Sequence, residues 1–171
     1  MKYITGVGSR MTPEDALEKI GRIAQYFARQ GYVLRSGGAN GADLAFENAY
    51  RAAKGSTEIY LPWEGFNGSS SELYGVCPEA LKLASTIHPA WHACSDAAKR
   101  LHARNCYQVL GRSLDRPSDL LVCWTPPGST GGTRTAIVLA ERHGVPVFNL
   151  GVEGDIERLR LSWYNERLQI D

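Results

Sequence analysis

The sequence predicts an α/β fold: a Rossmann-like, doubly wound, mostly parallel sheet of about five strands in the order 3-2-1-4-5, with helices on both faces. Three observations predict it. Short apolar runs of strand character alternate with helical patterns, which is the sequence order of βαβ units. A glycine cluster follows a strand-like run and opens a helical pattern twice, in Ser36-Gly37-Gly38-Ala39-Asn40-Gly41-Ala42-Asp43 and in Gly128-Ser129-Thr130-Gly131-Gly132-Thr133. The 171 residues, 43% of them apolar, suit one domain and leave little room for a second.

The elements follow in order. Tyr3-Ile4-Thr5-Gly6-Val7 is the first strand and runs into Gly8-Ser9-Arg10, a third and shorter glycine loop. Thr12-Pro13-Glu14 has the composition of an N-cap, a first-turn proline and a first-turn acid. A helix over about 13–30 follows from Leu17, Ile20, Ala24 and Phe27 at three- and four-residue spacing, with Gly31 at its stop. The second strand covers about 32–36. The next helix carries Ala42, Ala45, Ala49 and Ala52 near one face, small residues that allow close approach to a sheet, and ends near Gly55. Thr57 to Leu61 is the third strand. Residues 62–92 form an irregular loop or lid with a short helix near 77–84. Ser95 caps a helix that extends towards Leu114. A strand at about 119–124, a helix near 132–143 ending at Gly144, and an edge strand over Val145 to Leu150 with Pro146 at its second place complete the sheet. Ile156, Leu159, Leu161 and Trp163 form a terminal helix on it.

In this strand order the reversal point lies between strands one and four, so Gly8-Ser9-Arg10 and the loop after Trp124 flank a crevice, with the loop at Gly37 beside them. Glycine permits positive φ and close backbone approach, and a helix N-terminus offers N–H groups and the positive end of its dipole. The chemistry this favours is anion binding, with phosphate the expected guest. Arg10 and Arg104 are the charged candidates, Ser9, Ser36, Thr133 and Thr135 the hydroxyl donors, and Gly8, Gly37, Gly38, Gly41, Gly131 and Gly132 the backbone donors. Asp43 either complements the helix dipole or accepts from a ribose hydroxyl. Asn40 and Asn105 are side-chain hydrogen bonders, and Trp63 and Trp124, just past strand ends, either stack on a base or close the core.

Nineteen basic against eighteen acidic residues give a net charge of +1, so the field of the whole chain attracts a polyanion little. No run is long and apolar enough for a signal or a span, so no membrane association is expected. Cys77, Cys94, Cys106 and Cys123 lack CxxC pairing and are expected to be free thiols in a cytoplasmic protein. His88, His92 and Cys94 match no common ligand spacing and Pro89 interrupts any shared helix face, so packing around Trp91 is expected rather than a metal, and no cofactor is expected.

Residues 36–43 resemble the SGxARGxD motif of the Rossmann domain of the DNA-processing protein A (DprA/Smf) family. Val7-Gly8-Ser9-Arg10 is similar to that family's VGSR, Tyr60-Leu61-Pro62 to its YP step, Arg104-Asn105 to its RN pair, and Gly131 to Ala136 to its SGxxxTA segment. The resemblance covers most of residues 3–150 and extends to the superfamily (SLOG) that also holds the LOG phosphoribohydrolases. It implies a nucleotide or nucleotide-derived ligand, or single-stranded DNA, and by the habit of that superfamily a homo-oligomer. Asn40 replaces the arginine usual in the DprA motif. The glutamate of the LOG motif PGGxGTxxE is absent between Thr135 and Val138, which removes the carboxylate an N-glycosidic hydrolysis needs. Glu47, Glu64 or Glu72 would have to supply it from elsewhere. Binding of a nucleotide ligand is therefore the leading expectation, and single-stranded DNA binding, phosphoribohydrolase activity and sequestration of a nucleotide signal are the alternatives.

Overall fold

The computed structural model describes residues 1–129 and 131–164, the last by its backbone alone. Five parallel strands, β1 (Tyr3–Gly8), β2 (Val33–Ser36), β3 (Thr57–Ile59), β4 (Leu120–Trp124) and β5 (Val147–Asn149), lie in the order β3-β2-β1-β4-β5. This is the order the sequence predicts, with β5 at an edge, where Pro146 just before it withholds no ladder hydrogen bond from a second neighbour.

The two faces are covered by different halves of the chain. Helices α1 (Glu14–Arg29) and α2 (Ala42–Ala52) pack on one face through Ile20, Ile23, Phe27, Phe46 and Tyr50, over Ile4, Leu34, Leu120 and Val122 of the sheet. Helices α3 (Pro78–Ser85), α4 (Asp96–Leu110) and α5 (Gly132–Arg142) cover the other, where Ala84, Ala103, Tyr107 and Leu139 meet Val7, Leu121 and Cys123. Adjacent strand residues point to opposite faces, which is why Leu121 and Val122 belong to different cores. A short helix, α6 (Asp155–Leu159), adds buried Leu159 to the first core, and a single wider turn at Arg160–Tyr164 follows it. Residues 165–171 and Thr130 lie outside the described residues.

Two glycines of β1 set how closely the layers approach. A Cβ on Gly6 would sit 2.5 Å from the Phe46 ring, so that ring rests directly on the strand backbone. A Cβ on Gly8 would sit 2.6 Å from Ala42 Cβ and 2.7 Å from the Trp124 carbonyl oxygen, at the point where β1, β4 and α2 meet. Gly8→Ala is therefore expected to destabilise the fold by about 1–3 kcal/mol in chemical denaturation, the usual consequence of forcing a methyl into a packed site.

Several details differ from the sequence reading. Thr12 does not cap α1: its hydroxyl donates to the Ser9 carbonyl at 2.6 Å, closing the loop after β1, and Pro13 holds the N-cap place without a side-chain bond. Ser95 does cap α4, accepting from the Ala98 N–H at 3.1 Å. Helix α4 stops at Leu110 rather than near Leu114, because Gly111 takes φ +78° and ends the helical path. Strand β3 stops at Ile59; Leu61 instead bridges to Tyr74, which ties the segment after it back to the sheet. That segment holds single 3-10 turns at Phe66–Gly68 and Trp91–Ala93 around α3. Among the described residues no helix is long and apolar enough to cross a membrane.

Candidate functional site

All five strands run the same way, so the loops after β1, β2 and β4 emerge along one edge of the sheet. They enclose a cavity of about 400 Å³. The loop after β1 contributes Gly8, Ser9 and Arg10, the turn into α2 contributes Ala39 and Asp43, and the loop into α5 contributes Ser129, Gly131, Gly132 and Thr133. The sheet's reversal point brings the first and third of these together: Gly8 pairs in register with Trp124, and the Ser9 N–H donates to the Trp124 carbonyl at 2.9 Å. Helix α5 starts at Gly132 with no side-chain cap, which leaves its N-terminal end open to an anion.

The floor is built by α4. Ala98, Leu101, His102, Asn105 and Gln108 recur at helical spacing and present one face to the cavity, with Arg104 beside them. Arg104 is only 5% exposed, and its guanidinium donates to the carbonyls of Gly37 and Tyr60, the latter at 2.9 Å, while Nε donates to Asn105 Oδ1 at 2.9 Å. Asn105 in turn donates to the Gly132 carbonyl at 2.9 Å. One chain of hydrogen bonds thus links the loop after β2 to the start of α5 through the Arg104-Asn105 pair. Gly37 lacks a Cβ for a visible reason: one there would meet the Gln108 amide, Asp43 and Arg104 together.

Asp43 lies on this floor at 4% exposure, accepting from the Ala39 N–H at 3.4 Å. Burial pushes its carboxyl up to about 6, against the opposing pull of Arg104 and of the Ala39 and Gly8 amides. Burial likewise draws Arg104 down to about 10, with Asp43 holding it up, so the arginine stays charged at neutral pH. His102 is held below its ordinary value by burial first, then by His88 and Arg104. Its Nδ1 meets Thr135 Oγ1 at 2.8 Å.

Of the residues singled out in the sequence, Gly8, Ser9, Arg10, Asp43, Arg104, Asn105, Gly131, Gly132 and Thr133 line the cavity. The rest stand behind it or away from it. Ser36 is wholly buried and donates to the Gly6 carbonyl at 2.6 Å. Gly38 and Asn40 both engage Asn67 Nδ2, at 2.9 and 3.0 Å, which pins the 3-10 turn of Phe66 over the first glycine loop. Gly41, at φ +83°, lets the Ser9 and Arg10 backbone lie against the start of α2. Thr135 is buried behind the lining on His102. Trp63 packs edge-on against Phe66, and Trp124 packs on the first core, so neither indole borders the cavity. Phe66 borders it instead, approached by the Arg104 guanidinium at 5.3 Å. Glu47 is buried and paired with Arg51 at 2.6 Å, while Glu64 and Glu72 are exposed; none of the three lines the cavity.

Sequence reasoning missed His102, Gln108 and Phe66. The first two were legible as polar members of the Ala98-Leu101-Asn105 face. Phe66 reaches the site only through the fold of an irregular loop, which leaves no periodic trace. The four cysteines are free thiols, as expected; burial pushes Cys106 up to about 12 and Cys123 higher still. Cys94 lies beside His88 and His102, a grouping spread over the loop after α3 and helix α4 that spacing along the chain conceals.

No protein family profile matches this chain, and no curated protein matches its sequence. Solved structures do match its fold. The Moco carrier protein of Chlamydomonas reinhardtii aligns with TM-score 0.54 at 20% identity, over 96% of this chain and 86% of that one. DprA of Streptococcus pneumoniae aligns with TM-score 0.58 at 16% identity over 95% of this chain, which spans 57% of that protein. Helicobacter pylori DprA, described for its single-stranded DNA binding mode, aligns with TM-score 0.55 at 17% identity, over 95% and 72% of the two chains. At these identities the likeness establishes a shared Rossmann-like fold.

Proposed function

We propose that this protein binds a nucleotide or nucleotide-derived phosphate ligand, the phosphate resting on the loop after β1 and the N-terminus of α5. The observation that carries this reading is the convergence of Gly8-Ser9-Arg10 and Gly131-Gly132-Thr133 on one cavity of about 400 Å³, a volume in the small-molecule range. Arg10 supports it further. It is exposed at the cavity and forms no ion pair among the described residues, so its charge is available to a phosphate. The Moco carrier, matched over most of its length, supports a carrier-like role for a small ligand. The DprA structures support the single-stranded DNA reading, while the charge of +1 and the concave site weigh against it.

A thermal-shift screen tests the proposal. A nucleotide present at 100 times its dissociation constant stabilises the folded state by about 2.7 kcal/mol, a readily measured shift. Unchanged melting with mononucleotides, dinucleotides and cyclic nucleotides, together with salt-sensitive stabilisation by an oligonucleotide, would replace it with nucleic-acid binding. Release of free base from a nucleoside monophosphate would make it a hydrolase, for which Asp43 is the carboxylate in place among the lining residues. Arg10→Ala should weaken nucleotide binding by roughly 10- to 100-fold, the worth of one hydrogen bond to a charged group, without changing the melting of the unliganded protein. Isothermal titration calorimetry reads the first effect and a melt without ligand the second.

A further inference from the structure

We propose that His88, Cys94 and His102 form a binding site for a divalent transition metal of the zinc class at the edge of the cavity. Their ligand atoms all lie within 4.8 Å of one another. The Cys94 sulfur is 3.7 Å from His88 Nε2 and 3.8 Å from Nδ1, and the two imidazoles meet edge to face with centroids 4.7 Å apart. Around a tetrahedral zinc, with metal–nitrogen bonds near 2.0–2.1 Å and a metal–sulfur bond near 2.3 Å, neighbouring donor atoms stand about 3.3–3.6 Å apart. The sulfur and one histidine are nearly at that spacing, and half-buried side chains need only small rotations to complete it.

The three donors come from separate places, His88 from the loop after α3, Cys94 from the turn before α4 and His102 from within α4, so an ion would clamp the irregular segment to the helix that floors the cavity. Thr135 Oγ1 meets His102 Nδ1 at 2.8 Å, the kind of outer contact that fixes an imidazole's tautomer and leaves its other nitrogen for a metal. His88 Nδ1 accepts from the Ala90 N–H at 3.0 Å; a metal on Nδ1 displaces that bond, a metal on Nε2 sends the ring proton to Nδ1 and ends its role as acceptor, and in either case exposed Ala90 can turn to water instead. Binding also releases the Cys94 thiol proton to solvent, since the thiolate is the ligand. Two imidazoles and one thiolate select a borderline-soft ion over magnesium or calcium, and three protein donors leave a fourth position for water or another ligand. His92, near His88 and Cys94 along the chain, is exposed and stands outside the group, whose third member is His102 of α4, whereas spacing along the chain predicts no metal here.

The test uses the full chain, stripped with chelator and reloaded with Zn²⁺ or Co²⁺. About one equivalent of zinc per chain should survive gel filtration, and the cobalt form should show a thiolate charge-transfer band with the d–d absorption of a tetrahedral ion. Cys94→Ser should abolish that band while Cys77→Ser keeps it, and Thr135→Val should weaken zinc binding about 10- to 100-fold. In the unmodified protein, zinc should slow alkylation of Cys94 about tenfold or more and leave Cys77 unaffected, because a metal-bound thiolate is withdrawn from reaction. No retained zinc, a charge-transfer band that survives Cys94→Ser, or equal protection of Cys94 and Cys77 would overturn the site.

Discussion

Replacing Arg104 with methionine should lower the free energy of unfolding by about 3–5 kcal/mol, the usual result of removing one partner from a buried charged network. Methionine keeps much of the apolar stem and removes all the donors. The Gly37 and Tyr60 carbonyls then lose their partner inside the protein, and Asn105 Oδ1 loses the Nε that orients it. An orphaned buried acceptor alone costs about 1–3 kcal/mol. Asp43 also loses the cation that most opposes its desolvation, so its carboxyl should titrate above its present value of about 6. Arg104→Lys should fall between the two, since an ammonium keeps the charge but cannot span two carbonyls and Asn105 as a planar fork does. Urea denaturation at neutral pH measures all three proteins. A methionine variant within about 1 kcal/mol of the parent would mean that the floor is held by apolar packing on α4 and that the hydrogen bonds of Arg104 roughly cancel against its desolvation.

The fold was legible because its signals are local. Strand-like runs, the amphipathic stripe of α1 and glycines at strand-to-helix turns each lie within a few residues, and parallel connectivity restricts the arrangements that remain. Topology then carried the site: once β1 and β4 are neighbours, Gly8 and Gly132 must share an edge. What sequence could not supply was the third dimension of irregular chain. The same composition that marks Phe66 and His88 as loop residues hides where they land, because no period relates them to the elements they touch. Asp43 and Arg104 show the limit at a finer scale. Both were named as site residues, but their shared burial beneath Gly37, which pushes the Asp43 carboxyl up and draws the Arg104 guanidinium down while leaving it charged, depends on a distance that neither motif encodes.

Stability of the unliganded protein should decline as pH rises from about 4 to 6, by about 3 kcal/mol more than in Asp43→Asn, at 1.36 kcal/mol per pH unit of displacement. The sign follows from where the proton is held. Unfolded, Asp43 titrates near 3.8; folded, burial carries it to about 6. Below the lower value both states keep the proton and the contribution is complete. Between the two values the unfolded chain releases its proton while the folded chain retains it, so each step upward in pH favours unfolding, and above the upper value nothing further is lost. Asparagine cannot titrate, which makes the difference between the two proteins a measure of Asp43 alone, free of the opposite trend that His102, held below its ordinary value, adds to both. The nearby charges act in known directions: Arg104 holds the carboxyl down and Glu47 pushes it up. Urea denaturation of both proteins across this range gives the comparison, and parallel curves would mean that Asp43 keeps an ordinary carboxylate's affinity for protons, with water or a rearranged Arg104 solvating it. The window has a functional edge as well. For the proposed phosphate ligand, a carboxyl poised near 6 lets the floor of the cavity shed its own negative charge under mildly acidic conditions, so a phosphate that raises the carboxyl further should bind with uptake of a proton, and buffers of different ionisation enthalpy would reveal that uptake in calorimetry.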